Sequence, residues 1–568
     1  MTRIFARAFV ILDRNPERLR LSQARAEHAF GVASVCRPLA NCVVAYSRVG
    51  MPSIQKTETC ANFWVTEGSP RTLDLHTLEG ARSLKHRVDE QPGRLQTVGG
   101  DFGFLSLTPS RITVVRSCAG LVPWYLYQTT ECVAFTTCLQ DLVRCIPSKM
   151  SLDPLGIAAA VSGCSAHPEQ RSSLKGVTVV PIGSFVQLDT ANSRLRGERY
   201  WFPSEEKPLR VDTASADEEL RHLLLSELEE TLSPEGPNLL SLSGGVDSSS
   251  LGFLAAKTLK RQVPALCLLP PPSTYRDRED AQIDWLVHDA GIGPVTRLTA
   301  SPRAALLWLQ QVENLVVPIT NPVLWAISAG QIGPTPRVLF GGEFCDSLLG
   351  NFGRTMNDWA LQTSASELIA HPLQIPRGLR GLWHWTQARN PLSPGPYPLP
   401  HPPRLNRLFR EDLNADYEDW LASERQRDVM PGTTRPHLWR RLEAAGWVEM
   451  NWEFAASRGF TRAMPFRNRE LVEFVLRTAA SEHVGAVSKK MLRRSLSSMV
   501  PSTYIDRADK GVWGELLKGT MIRGGETLDD DLRPLVSAEA WGSQTPTLPW
   551  WWGLNLRLLL NTVRGLRS

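Results

Sequence analysis

The chain has 568 residues, of which 42% are hydrophobic and 21% are charged, and its formal net charge at pH 7 is +5. A chain of this length is expected to form at least two domains with substantial cores, and so small a net charge argues against a nucleic-acid-binding protein. The ten cysteines form no Cys-x-x-Cys pair and show no Cys/His ligand spacing, which argues against a zinc site or a disulfide scaffold and is typical of a reducing cytosol.

Short β-strands separated by turns are predicted for about the first 200 residues. Alternating apolar and β-branched residues mark strands at 98–107, 112–115 and 179–188. The polar stretch at 203–210 is typical of a linker. We therefore predict two domains, at residues 1–205 and 210–568.

The second domain is predicted to begin with an amphipathic helix and to continue with a βαβ unit. Ser215 and Glu218 have the spacing of a capping box, and the leucines from Leu220 to Leu232 fall on one side of the helix that follows. Strands at 239–243 and 263–269 flank a helix at 249–259, and this order predicts a parallel sheet. A further strand is predicted at 337–340 and a terminal helix at 550–560.

A glycine-rich loop joins the first of these strands to its helix, at the edge where open α/β sheets bind ligands. The run at 242–249 reads Leu-Ser-Gly-Gly-Val-Asp-Ser-Ser. Gly244 and Gly245 let the backbone approach an anion closely, and the free amides at the start of a helix favour phosphate. Asp247 would be repelled by phosphate, so we predict that it binds the Mg²⁺ that accompanies the nucleotide. Because no Walker A lysine follows, we predict that the loop binds the pyrophosphate part of ATP and that the reaction takes place at the α-phosphate.

A second glycine-rich turn follows the strand at 337–340. It reads Gly341-Gly342-Glu343-Phe344-Cys345-Asp346. Asp346 is predicted to be the second metal ligand, and Glu343 is predicted to lie near the reacting carbonyl. Taken alone, the same run also fits an ordinary acidic turn. The complete predicted nucleotide site comprises Leu242, Ser243, Gly244, Gly245, Asp247, Ser248, Ser249, Leu268 and Gly342.

Together with motifs elsewhere, the two loops resemble the asparagine synthetase superfamily of ATP-dependent amide-forming enzymes. The similar segments lie at 99–104, 116–125, 174–185, 199–201, 458–472, 488–494 and 507–511. The resemblance extends over nearly the whole chain. It implies an α/β protein with a degenerate, Ntn-like glutaminase domain, which is a β-rich sandwich, followed by an ATP pyrophosphatase domain with a parallel sheet.

The resemblance also implies a mechanism. A carboxylate attacks the α-phosphate of ATP to give an acyl-adenylate, with Mg²⁺ held by Asp247 and Asp346. Lys510 would place an ammonium beside the α-phosphate or the acyl intermediate, and Lys490 would do so beside the phosphates. An amine then attacks the acyl-adenylate, and Glu343 would act as the general base.

The N-terminus departs from the glutamine-fed members of the superfamily. Those members begin with a nucleophilic cysteine after Met removal, whereas position 2 here is Thr2. We therefore expect the amine to come from the substrate, as it does in lasso peptide cyclases and β-lactam synthetases. The latter carry Tyr in the motif that holds Glu343 here. A proline- and tryptophan-rich insert at about 355–445 fits either a wall that holds a peptide or a long surface loop.

We expect the chain to form a macrolactam in a ribosomal peptide, joining an Asp or Glu side chain to the N-terminal amine. The alternatives are a β-lactam-synthetase-like ligase of small molecules, an ammonia-dependent asparagine synthetase and a non-catalytic scaffold. The resemblance implies three partners: a precursor peptide, a leader-recognition protein and a leader peptidase. Since the chain has no signal-peptide core and no apolar run that would span a bilayer, we expect a cytoplasmic protein.

Overall fold

A computed structural model gives the structure of the protein. It describes residues 5–31, 35–49, 63–70, 86–88, 90, 92–98, 100–148, 150–157, 171–203, 212–232, 237–269, 272–299, 304, 322–328, 330–332, 336–350, 365–370, 386, 412–413, 415–416, 419, 452, 454–455, 458–485 and 487–500. Thr2, Lys510, the predicted terminal helix, nearly all of the predicted linker and most of the insert at 355–445 lie outside these residues.

Two antiparallel sheets are built from the part of the chain before residue 200. One has six strands in the order β2-β3-β1-β8-β7-β9, and the other has five in the order β11-β10-β6-β5-β4. The strands are β1 (Phe5–Asp13), β2 (Val35–Leu39), β3 (Cys42–Val49), β4 (Phe63–Pro70), β5 (Gly100–Leu107), β6 (Arg111–Arg116), β7 (Tyr125–Gln128), β8 (Cys132–Thr136), β9 (Val177–Val179), β10 (Ser184–Asp189) and β11 (Leu195–Arg199).

The alternation of side chains along β1 shows how these sheets are layered. Val10 joins a buried cluster with Leu105 and Val114 of the second sheet, so this face lies between the two sheets. Phe9 and Ile11 point the other way and pack with helices α1 (Pro16–Phe30) and α2 (Leu139–Cys145). We refer to the two antiparallel sheets as the sandwich.

A five-stranded parallel sheet follows the sandwich. Its strands are β12 (Asn238–Leu242), β13 (Ala265–Leu269), β14 (Val295–Thr299), β15 (Val338–Gly341) and β16 (Thr461–Ala463), in the order β14-β13-β12-β15-β16. All four neighbouring pairs are parallel. The strand order reverses direction between β12 and β15, and such a switch point opens a crevice at the carboxyl ends of the two strands.

Nine further helices are described after the sandwich, and several of them pack on the parallel sheet. They are α3 (Thr213–Thr231), α4 (Val246–Phe253), α5 (Thr274–His288), α6 (Pro322–Ser328), α7 (Cys345–Leu349), α8 (Ala365–Ala370), α9 (Arg469–Arg477), α10 (Ala480–His483) and α11 (Lys490–Leu496). Short 3₁₀ turns form at Pro92–Thr97 and Pro465–Arg467, and α4 continues as a π-helical turn at Leu254–Thr258. One apolar cluster includes Phe104 of the sandwich, Leu224 of α3 and Phe340 of the parallel sheet. Among the described residues, no helix has the length and apolar character needed to cross a membrane.

The structure confirms a mixed α/β protein with antiparallel sheets and one parallel sheet, and it corrects three boundaries. Helix α3 is capped by Asp212, whose Oδ1 accepts from the amide of Ser215 at 3.0 Å, so the predicted capping box at Ser215 is wrong. Helix α4 begins at Val246 rather than at 249. The single strand predicted at 179–188 is two strands, because the chain turns at Gly183, where φ is +62°. The predicted division at 1–205 and 210–568 stays a prediction.

Arg116, at the end of β6, is a buried structural residue. It is 1% exposed, and its guanidinium donates to the carbonyl of Gly120 through Nε at 3.1 Å and to that of Val180 through Nη1 at 2.9 Å. It therefore ties the turn after β6 to the segment before β10.

We predict that Arg116→Met lowers the midpoint of thermal unfolding followed by circular dichroism. The substitution leaves two buried carbonyl oxygens without these donors, at a cost of about 1–3 kcal/mol for each group. Arg111→Met, an exposed change on the same strand, is the control and should leave the midpoint unchanged. Equal shifts in the two variants would contradict a structural role for the Arg116 guanidinium.

Candidate functional site

The first glycine loop (residues 243–245) is shaped by its own serines. The hydroxyl of Ser248 accepts from the amide of Ser243 at 2.9 Å and donates to the carbonyl of Ser243 at 3.1 Å. Ser249 donates to the same carbonyl at 3.2 Å. Because α4 begins at Val246, Asp247 lies in its first turn. The predicted serines therefore hold the loop in its turn as well as lining it.

Glu279, which was not predicted from the sequence, is part of this loop's structure. Its carboxylate lies on α5 and accepts from the amide of Gly244 at 3.1 Å. A Cβ at Gly244 would lie 2.4 Å from the same oxygen. No local pattern identifies Glu279, since the contact joins two segments that meet only in the folded sheet.

The second glycine loop (residues 342–344) lies against the first. Strands β12 and β15 are neighbours, with Ser241 paired to Gly341 at the carboxyl end. A Cβ at Gly342 would lie 2.5 Å from Asp247 Cβ and 2.6 Å from the backbone nitrogen of Ser248. The two glycine-rich segments found in the sequence therefore meet at the switch point.

Lys489 joins the two predicted metal ligands. Its ammonium forms ion pairs with Asp247 Oδ1 and, at 2.6 Å, with Asp346 Oδ1. Lys489 is 4% exposed, whereas the side chain of Asp346 is 41% exposed. Burial acts to lower the pKa of Lys489, but Cys345 and the two aspartates outweigh it, so the pKa is raised and the amine stays protonated at neutral pH. The site thus holds a resident cation between two carboxylates.

Backbone strain marks the same place. Lys489 and Phe344 have φ values of 64° and 75°, in the left-handed region that side chains other than glycine rarely adopt. Each immediately precedes a helix that contributes to the site, α11 and α7 respectively. Such conformations cost about 1–3 kcal/mol each and persist only where surrounding contacts enforce them.

Glu343 is held by a buried arginine. Its Oε1 lies against Nη2 of Arg462, which is on β16 and is 1% exposed. Burial lowers the pKa of Arg462 to about 9, while the adjacent carboxylate favours its charged form. A Cβ at Gly341 would lie 2.6 Å from Glu343 Oε2, so the glycine leaves the space that this carboxylate occupies. The pair fixes a carboxylate at the mouth of the crevice.

The structure places Lys489, and not Lys490, against the carboxylates. The ammonium of Lys490 donates to the carbonyl of Ser481 at 2.8 Å, and burial lowers its pKa. The tandem lysines were visible in the sequence, but the start of α11 decides which of them faces the site. Leu242 and Leu268 are buried strand residues, so a nucleotide would meet them mainly through their backbone. Lys510 lies outside the described residues, and its role stays a prediction.

The chemistry of the donor set fits a magnesium nucleotide. Asp247 and Asp346 present carboxylate oxygens, the ligands that Mg²⁺ prefers, to the same position, which the Lys489 ammonium occupies. Within the described residues, no group of three or more His, Cys, Asp or Glu side chains is placed to hold a metal. Two carboxylates suit Mg²⁺, because this ion usually keeps water and nucleotide phosphates as its other ligands.

Comparisons with known proteins leave the family open. No protein-family model matches the chain, and no curated protein matches it. It matches a solved structure of "the allosteric regulatory enzyme of purine biosynthesis" at 10% identity over 52% of this chain and 81% of that chain, with a TM-score of 0.24. Glutamine phosphoribosylpyrophosphate amidotransferase from B. subtilis, complexed with ADP and GMP, matches at 9% identity over 59% and 75%, with a TM-score of 0.21. At TM-scores this low, the likeness carries no argument about this chain.

We predict that Gly342→Ala separates the two loops and lowers the midpoint of thermal unfolding. The added Cβ meets backbone of α4, which cannot move without displacing the helix. Gly245→Ala is the matched control, because its Cβ would meet only Ser243 Oγ, at 3.4 Å, and its φ of −79° suits alanine. Equal midpoints for the two variants would show that the loops are not in close contact.

We predict that Lys489→Met also lowers the midpoint, and that Mg²⁺ restores part of it. Removing one partner of a buried ion pair typically costs about 3–5 kcal/mol, and Asp247 is the more buried of the two aspartates. A divalent ion can then take the place of the ammonium. Adding Asp346→Asn should abolish the rescue by Mg²⁺, and an identical rescue without Asp346 would contradict the assignment of this residue as a ligand.

Proposed function

We propose that the protein is an ATP-dependent, AMP-forming carbon–nitrogen ligase that closes a macrolactam in a ribosomal peptide. One observation carries the nucleotide part of this proposal. Two glycine loops meet at the switch point of a parallel sheet and present Asp247 and Asp346 to a single cation. The resemblance to the asparagine synthetase superfamily supports the choice of adenylation chemistry.

The first glycine loop and the start of α4 are the proposed phosphate-binding elements. Helix N-termini favour anions because their first amides and the helix dipole point toward the ligand. Asp247 and Asp346 would hold Mg²⁺, which supplies positive charge to the phosphates when bound. Lys489 adds a second positive charge at the same position. Negative charge that develops on the leaving pyrophosphate is thereby offset.

The first proposed step forms the acyl-adenylate. A carboxylate oxygen of the substrate bonds to the α-phosphorus of ATP, and the bond from that phosphorus to the β-phosphate oxygen breaks. Pyrophosphate leaves with the electron pair. Positive groups fixed in advance at such a centre each contribute about 3 kcal/mol to lowering the barrier.

The second proposed step forms the amide. The amine nitrogen bonds to the acyl carbon, AMP leaves with the electron pair of the broken C–O bond, and the amine proton passes to Glu343. An α-amine has a pKa of about 7.7–8.0 and is largely protonated at neutral pH. The reaction therefore needs a base that removes a proton from the amine, and we assign this role to the carboxylate of Glu343. Arg462 orients Glu343, because its buried guanidinium lies against the carboxylate.

Two features support a peptide substrate that supplies its own amine. Glu343 stands where β-lactam synthetases carry Tyr. The insert at about 355–445 supplies bulk that a small amino acid does not require. A leader-recognition protein and a leader peptidase are proposed partners, because the free amine must first be released.

The test measures pyrophosphate release from Mg·ATP. The purified protein is supplied with a candidate leader-free precursor peptide, then with small β-amino acids, then with aspartate and ammonia. We expect release with the peptide alone, a product lighter by one water, and loss of both in Asp247→Ala. Turnover of only a small substrate would replace this proposal with the corresponding ligase.

We predict that Glu343→Gln separates the two steps. Pyrophosphate release should continue, while amide formation falls by about 10²–10⁴-fold, because the amide side chain cannot accept the amine proton. Both products are quantified by mass spectrometry in single-turnover reactions. Glu229→Gln, an exposed change on α3, is the control. A proportional loss of both steps would assign Glu343 to nucleotide binding and not to proton transfer.

A further inference from the structure

We propose that Arg467 is a positioning residue through which the sandwich sets the geometry of the second glycine loop. This gives the sandwich a function that does not depend on glutamine chemistry. The connection from the sandwich through Arg467 to the second glycine loop is argued from geometry alone. Its effect on ATP binding rests on the proposed function.

Arg467 lies between the sandwich and the parallel sheet. It is 0% exposed and ends the 3₁₀ turn at Pro465–Arg467. Its Nε donates to the carbonyl of Ala119 in the sandwich at 2.7 Å. Its guanidinium carbon lies 5.1 Å from the centre of the Phe344 ring, within the range of a cation–π contact. One buried side chain therefore touches both parts of the protein.

Phe344 sets the orientation of the segment that joins Glu343 to Asp346. It follows Glu343 directly, has a φ of 75°, and precedes α7, whose first turn carries Asp346. A left-handed residue with a side chain is held by its contacts and not by its own preference. Moving the Phe344 ring would therefore rotate the peptide that joins the proposed base to the proposed metal ligand.

The sandwich end of this connection is rigid. Asp101 Oδ1 accepts from the hydroxyl of Ser117 at 2.7 Å and from the amide of Leu121 at 3.0 Å. Gly120 has a φ of 65°, and a Cβ there would lie 2.4 Å from Ile182. The turn of residues 117–122 is thus fixed from several directions, and the carbonyl that Arg467 engages belongs to it.

Further contacts stabilise the junction between the sandwich and the rest of the protein. Leu121 and Val122 of the turn form a buried cluster with Trp452 and Met464. Separately, Trp201 Nε1 donates to Glu473 Oε1 on α9 at 2.6 Å. This second bond joins the same two parts of the protein without involving Phe344, and it provides a matched control.

The test is hydrogen exchange of the peptide covering residues 341–350, measured by mass spectrometry on the full chain. We expect Arg467→Met and Phe344→Leu each to speed exchange there by about tenfold, and the double variant to add little, because both remove the same contact. Arg467→Lys keeps the charge over the ring and should restore part of the protection. Trp201→Phe should leave this peptide unchanged.

Two results would overturn the inference. One is unchanged exchange at 341–350 in Arg467→Met. The other is a similar increase in Trp201→Phe, which would indicate a general loosening of the junction. Titration calorimetry of Mg·ATP, on wild type and Arg467→Met, provides the second readout, with about tenfold weaker binding expected in the variant. A wild-type protein that binds no Mg·ATP would refute the proposed function, while the exchange data would still decide the role of Arg467.

Discussion

The buried ammonium of Lys489 is the interaction on which the rest of the site depends. It pairs with carboxylates from the starts of α4 and α7, although Asp247 and Lys489 are 242 residues apart in sequence. A buried charge is stable only when it is paired, so all three segments must be in place before the site exists. The strand order of the parallel sheet satisfies this requirement, because it brings the ends of β12 and β15 together.

The pairing of Lys489 with Asp247 and Asp346 also affects how a metal ion could bind at the site. The two aspartate oxygens that a magnesium ion would use are already engaged by a fixed cation. A magnesium ion would therefore have to share the two carboxylates with this ammonium or displace it. Lys489 is almost fully buried and lies just before α11 in a left-handed conformation, so the surrounding contacts hold it in place.

Glu343 and Arg462 form a second, separate charged pair on the other side of the same loop. Between the two pairs lies Phe344, which connects them to the sandwich through Arg467. The segment 343–346 therefore has an ion pair at each end, at Glu343 and Asp346, and an aromatic contact between them, at Phe344. Its glycines matter for a steric reason, since Gly341 and Gly342 leave room for Glu343 and for the start of α4.

The sequence by itself determined the parallel sheet, the two glycine loops and the acidic residues within them. These features are local: apolar strands, glycines and carboxylates can be read over a few residues. Only the tertiary structure decided that Lys489 and not Lys490 meets Asp247, that Glu279 holds the amide of Gly244, and that Arg462 lies against Glu343. Each of these contacts joins segments far apart in the chain, and adjacent residues such as the two lysines differ only in the direction that the start of a helix gives them.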